Sequence, residues 1–141
     1  GSYLANGVVE QTSTPSTNKV QAVIDLAHKQ LGKPYVWGAE GPNSFDCSGL
    51  IYYVYKNAAG ITLPRTSSAQ YSAGVAVSRS NLKAGDLIFS STDGTGNITH
   101  VAIYVGDGQM IHAPRNGKNV EKVSINNSYW NKAYVGARRV L

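Results

Sequence analysis

The sequence has a single cysteine, so no intrachain disulfide can form and a secreted scaffold held by disulfides is excluded. Charge is sparse: 15% of residues are Asp, Glu, Lys or Arg, against about 25% in an average domain, which is too few for a coiled coil. Long apolar runs are missing as well. The longest, Leu50 to Tyr55, is six residues, far short of the ~20 that a bilayer-crossing helix needs, and no membrane insertion is expected. What is present points to an ordinary globular chain. Hydrophobic residues make up 42%, too many for disorder, and 141 residues suit one domain that buries roughly two-thirds of its unfolded surface. Fifteen Gly and nine Tyr favour short elements joined by turns.

Thirteen basic against eight acidic residues give a net charge of +5, which suits a polyanionic neighbour such as nucleic acid, anionic lipid or a bacterial wall. The basic residues are scattered, with Arg138-Arg139 the one adjacent pair, and the dense basic stripe of a nucleic-acid binder is missing. No nucleic-acid partner is expected. Gly1-Ser2 reads as a scar of tag cleavage, and Gln11 to Thr17 is a polar, low-complexity stretch with nothing to bury. Residues 1–17 are therefore expected to be scar and flexible linker and residues 18–141 the folded domain, one module of a larger multidomain protein.

From Asn18 the pattern turns helical. Val20, Val23, Ile24, Ala27 and Leu31 form an apolar stripe, Asn18 is placed to cap it, and Gly32 with Pro34 ends it. A loop rich in Gly and aromatics runs from Lys33 to Phe45. A second helix starts near Asp46-Cys47, with Cys47, Leu50, Ile51, Val54 and Ala58 on one face and Gly60 as its stop, and Ser67 to Ser72 suggest a further helical turn. After Gly74 the period becomes two. Strands are expected at 75–77, 87–90, 100–105, 109–113, 120–123 and 134–140, separated by Gly- and Asp-rich turns. Helices followed by a run of antiparallel strands is an α+β layout.

The hairpin at 100–113 fixes a register. Val101, Ile103, Val105, Ile111 and Ala113 share one face if a three-residue loop, Gly106 to Gly108, pairs Val105 with Gln109. A two-residue loop would split that apolar set. The other face then carries His100, Ala102, Tyr104, Met110 and His112, with His100 diagonal to His112 at about 6–8 Å.

Cys47 opens the second helix, where unpaired N–H groups and the positive end of the dipole favour thiolate over thiol. A cysteine, a histidine and a group that orients the histidine form the minimal nucleophilic constellation, supplied here by Cys47, His100 and His112. A resting Cys47 thiolate paired with a His100 imidazolium is expected from this placement. Two other readings remain open. Cys47 can be a buried structural residue with both histidines half-exposed on the sheet, or the three can hold zinc, although no paired Cys or His-Glu-x-x-His spacing supports a metal.

Six ordered segments carry a resemblance: Tyr35-Val-Trp-Gly38, Phe45-Asp-Cys-Ser-Gly-Leu50, Leu63-Pro-Arg-Thr-Ser67, Gly85-Asp-Leu-Ile-Phe89, His100-Val-Ala-Ile-Tyr-Val105 and Met110-Ile-His-Ala113. In this order they resemble the NlpC family of bacterial cell-wall cysteine endopeptidases over residues 19 to about 141. The resemblance implies a papain-like α+β fold, in which the helix bearing the cysteine packs on an antiparallel sheet bearing the histidines. It implies secretion to the cell wall and cleavage of peptidoglycan stem peptides between γ-D-glutamate and L-lysine or meso-diaminopimelate, with no cofactor and no metal. It makes Cys47 the nucleophile, His100 the base, His112 its orienting partner and Tyr35 a neighbour of the thiolate and the oxyanion. Asp46, Ser48 and Trp37 become substrate contacts. Arg65 falls in a matching segment with no contact assigned. An amidase or acyltransferase on the same scaffold, and a non-catalytic wall-binding module, are the alternatives.

Overall fold

A computed structural model describes residues 13–141. The first helix, α1, spans Ser13–Lys29. It begins five residues before the expected cap, so Asn18 lies inside it, and residues 13–17 of the expected linker are helical. Pro15 does not prevent this, because a first-turn N–H has no intrahelical partner to lose. The remainder of the expected scar and linker, residues 1–12, lies outside the described residues.

The second helix, α2, spans Cys47–Ala59. Asp46 caps it: the backbone at Asp46 is extended and its carboxylate accepts from Gly49 N. Gly60 stops it in the left-handed region at φ 70°, its N–H reaching back to the carbonyls of Lys56 and Tyr55. A single turn, α3, follows at Ser67–Gln70. The strands are β1 (Val75–Val77), β2 (Leu87–Ser90), β3 (His100–Gly106), β4 (Gln109–His112), β5 (Glu121–Ser124) and β6 (Tyr134–Arg139). They form one antiparallel sheet in the order β1-β6-β2-β3-β4-β5. A six-residue helix, α4 (Ser128–Ala133), precedes β6 and was not expected from the sequence.

Two apolar layers flank the sheet. Val23 and Ala27 of α1 and Leu50, Ile51, Val54 and Tyr55 of α2 pack on Leu87, Phe89, Val101, Ile103 and Ile111. The opposite face, with Ile88, Ala102, Met110 and Ile125, is covered by Trp130 of α4 and Leu82. This second layer removes the alternative of half-exposed histidines: His100 is 3% exposed and His112 0%.

The hairpin register holds at Ile103↔Ile111 and Tyr104↔Met110, then shifts so that Gly106 pairs with Gln109. Val105 is thus an extra residue on β3, and the turn is Asp107-Gly108, both with positive φ (55° and 73°), as a tight two-residue hairpin turn requires. The bulge resolves the conflict seen in the sequence. It absorbs one residue, so a two-residue turn coexists with an apolar face that requires three in an unbulged hairpin.

Candidate active site

Cys47 is the first residue of α2, on a helix end held in place by the carboxylate of Asp46. That carboxylate accepts from Gly49 N (2.6 Å), Gly38 N (3.0 Å) and Ser48 Oγ (3.3 Å), and from both terminal nitrogens of Arg65 at 3.1 Å. Arg65 donates further to Ser48 Oγ (2.8 Å) and through Nε to Glu40 (2.8 Å). The contact that the sequence did not assign to Arg65 is therefore a fork-shaped clamp on the cap of α2. Asp46 and Ser48 are buried by it, each 6% exposed. Gly49 has a steric reason to be glycine: a Cβ there would sit 2.0 Å from the carbonyl oxygen of Ala39. The loop before the helix presses directly on the helix, tied by Asp46 N to Ala39 O at 2.9 Å.

Trp37, Gly38, Asp46, Cys47, Ser48, Arg65, Ser67 and Thr99 line a cleft of about 400 Å³. Trp37 is 81% exposed at its rim. Tyr35 lies close enough to Cys47 that, after burial, the developing thiolate is the next cause raising its phenol above the usual range. Its backbone is bridged to Phe45 and bonded to Lys118 O, which anchors the loop at both ends.

The Cys47 thiol lies against the start of β3, on either side of His100 along that strand. It points at the Thr99 carbonyl (3.9 Å) and faces the Val101 backbone N–H, with the N–H groups of Cys47 and Ser48 also turned toward it. His100 Nε2 and His112 Nδ1 are 2.8 Å apart, and His112 Nε2 is 2.9 Å from Glu121 Oε2. Glu121 is directly opposite His112 in the β4–β5 ladder. Trp130 stacks on His100 with ring centres 5.2 Å apart and meets His112 edge-on. Sequence reasoning singled out neither Glu121 nor Trp130.

Burial dominates the protonation chemistry. It pushes the Cys47 thiol up, with Asp46 adding to the rise, while the surrounding N–H groups act in the opposite sense. It pushes His100 down to about 3, with His112 contributing, and holds His112 below its ordinary value against the pull of Glu121. Both shifts favour the neutral forms of Cys47 and His100, and the thiol is directed at the Thr99 carbonyl. The thiolate–imidazolium pair expected from the helix position is not the state this environment favours.

Residues 32–139, well over half the chain, match the model of the NlpC/P60 family. The chain is 47% identical to murein DD-endopeptidase MepH of Escherichia coli (strain K12), covering 97% of this chain and 52% of that protein. It is also 47% identical to gamma-D-glutamyl-L-lysine dipeptidyl-peptidase of Bacillus cereus (strain ATCC 10987 / NRS 248), covering 84% of this chain and 36% of that protein. It thus spans about half or less of the length of these relatives. Among solved structures, an NlpC/P60 family protein from Bacillus cereus ATCC 10987 superposes with a TM-score of 0.82 at 44% identity, covering 86% of this chain and 40% of that one. The α+β architecture, the ordered motifs and these matches agree, and the chain belongs to the NlpC/P60 family.

Proposed function

We propose that this chain is a cysteine endopeptidase of the bacterial cell envelope that cleaves peptidoglycan stem peptides between γ-D-glutamate and the diamino acid that follows. The observation that carries the reading is the meeting of two elements, with the Cys47 thiol 3.9 Å from the carbonyl of Thr99, the residue before His100. The N-terminus of α2 presents Cys47 among free N–H groups, and the start of β3 brings in a histidine backed by a second histidine. The names of the relatives support a murein substrate.

The chemistry follows from which atoms are free. His100 Nε2 is occupied by His112, so Nδ1 is the nitrogen that takes the thiol proton. As it does so, sulfur bonds to the substrate carbonyl carbon and an oxyanion forms near the N–H groups of the α2 N-terminus and the phenol of Tyr35. The imidazolium returns its proton to the leaving amine as the C–N bond breaks, leaving a thioester. Water, deprotonated by the same nitrogen, hydrolyses that thioester and restores the thiol. Asp46 and Ser48, fixed by Arg65, shape the side of the cleft that holds the acyl half of the substrate, with Trp37 at its rim.

A second reading has one specific support. Similarity to MepH runs over nearly the whole chain, and that relative is named for cleavage of a D,D bond. Product masses from defined monomeric and cross-linked muropeptides separate the two. Splitting of monomers into a saccharide fragment that ends in γ-D-Glu and a free peptide that begins with the diamino acid is expected here, whereas loss of cross-links with monomers untouched would establish the D,D reading. Cleavage between muramic acid and L-Ala would mark an amidase. Activity should survive EDTA and disappear with iodoacetamide.

A further inference from the structure

The bond between the two histidines does not by itself set which way it runs. A neutral imidazole carries one N–H, so the 2.8 Å contact can be His100 Nε2–H donating to His112 Nδ1, or the reverse. Only the first arrangement leaves a lone pair on His100 Nδ1. The second puts the proton there and leaves His100 with no base to offer. The answer comes from the far end of the chain of bonds. A carboxylate only accepts, so the 2.9 Å contact with Glu121 requires His112 Nε2 to carry the proton. His112 Nδ1 is then the acceptor, His100 Nε2 the donor, and His100 Nδ1 is free.

We propose that Glu121 is a positioning residue, which fixes the tautomer of His112 and through it presents the base nitrogen of His100. This rests on the peptidase reading above for its consequence in catalysis, but the tautomers themselves do not depend on it. The placement is built into the sheet: His112 and Glu121 are cross-strand partners on β4 and β5. The Glu121 side chain is 42% exposed and lines a cavity of about 510 Å³ that also carries Arg115, Lys118 and Tyr129. The groups facing Glu121 are thus His112 on β4, with His100 behind it on β3, Arg115 and Lys118 on the β4–β5 loop and Tyr129 on α4.

The test combines kinetics with imidazole ¹⁵N–¹H NMR on the whole chain. In the unsubstituted protein both histidines should show the Nε2–H form. Glu121→Ala should lower kcat about ten- to hundredfold with KM changed less than twofold, as loss of a histidine-orienting carboxylate does elsewhere, and should populate Nδ1–H forms of both rings. Glu121→Asp should recover part of kcat and of the tautomer, which a misfolded variant would not. In a His112→Asn background, Glu121→Ala should cost less than threefold, because no imidazole remains to be fixed. Nδ1–H on His100 in the unsubstituted protein would overturn the proposal. So would tautomers unchanged in Glu121→Ala, whatever happens to kcat. If the unsubstituted protein cuts no muropeptide, the peptidase reading fails while the NMR result still decides the role of Glu121.

Discussion

The cysteine wall and the histidine wall of the site are built in different ways. The cysteine wall is assembled from residues 35–67, close in sequence, by helix-end chemistry: a cap, a glycine that admits a neighbouring backbone, and an arginine clamp. The histidine wall is assembled across three strands and a short helix from residues 100, 112, 121 and 130, none closer than nine positions to the next. The first depends on local geometry and the second on register. A change that disturbs the cap should move Cys47 while sparing the histidines, and a change in the β3–β4–β5 ladder should do the reverse.

The largest expected effects remove the reacting groups. Cys47→Ala should lower muropeptide cleavage about a thousandfold or more, and His100→Ala should match it, because such residues act as a unit. Cys47→Ala should leave the melting temperature within a few degrees, since it trims one partly exposed sulfur. Residual activity of several per cent in Cys47→Ala would remove covalent catalysis at this position. Next in size is His112. His112→Asn or Gln keeps a polar group beside His100 and should retain measurable activity, whereas His112→Ala retains less. Equal, complete loss for Asn and Ala would assign His112 more than an orienting part.

Disturbing the cysteine wall should be milder and of a different kind. Gly49→Ala puts a methyl group against the Ala39 carbonyl, where the loop backbone must give way, and should cost about 1–3 kcal/mol of stability. On an exposed helix position the same change would stabilise by about 1 kcal/mol. Urea unfolding reads the sign. The imidazole NMR signals of His100 and His112 should stay in place in this variant, since the histidine wall is held by other contacts; displacement of both would show that the two walls are not independent.

The same division decides how much could be read from the sequence. The ends of α2 were legible because Asp46 and Gly60 are local signals, and three alternating apolar residues on one strand of the hairpin with two on the other were enough to place His100 diagonal to His112. The bulge at Val105 was not, since a glycine-rich turn admits two or three residues equally well. Glu121 escaped because charged residues stand side by side at 121 and 122, one on each face of a four-residue strand, so no period of two marks a buried face. Its partner depends on β4–β5 pairing across the loop of residues 113–120, and nothing local sets that register. Helix α4 is six residues long, less than two turns, so its Trp130 shows no helical period, and the burial it imposes on both histidines was hidden with it.

That burial sets the smallest and most discriminating effect, the titration of Cys47. The helix N-terminus alone predicts a thiol below its ordinary pKa near 8.5, reactive down to about pH 5–6 through pairing with His100. Burial acts first and in the opposite sense, and Asp46 adds to it, so the thiol in the folded protein is shifted upward. His100, shifted down to about 3, stays neutral over the same range and has no charge to lend. The sign is therefore fixed: at any pH below the inflection, Cys47 carries less thiolate than a free cysteine does. Alkylation by iodoacetamide should rise through one inflection above that of a free cysteine and should be slow at pH 6. His100→Ala should leave that inflection within about half a unit, because the imidazole is not what sets it. Fast alkylation at pH 6 that is lost in His100→Ala would show instead that the resting protein holds the ion pair, and that the histidine wall reaches the nucleophile before any substrate arrives.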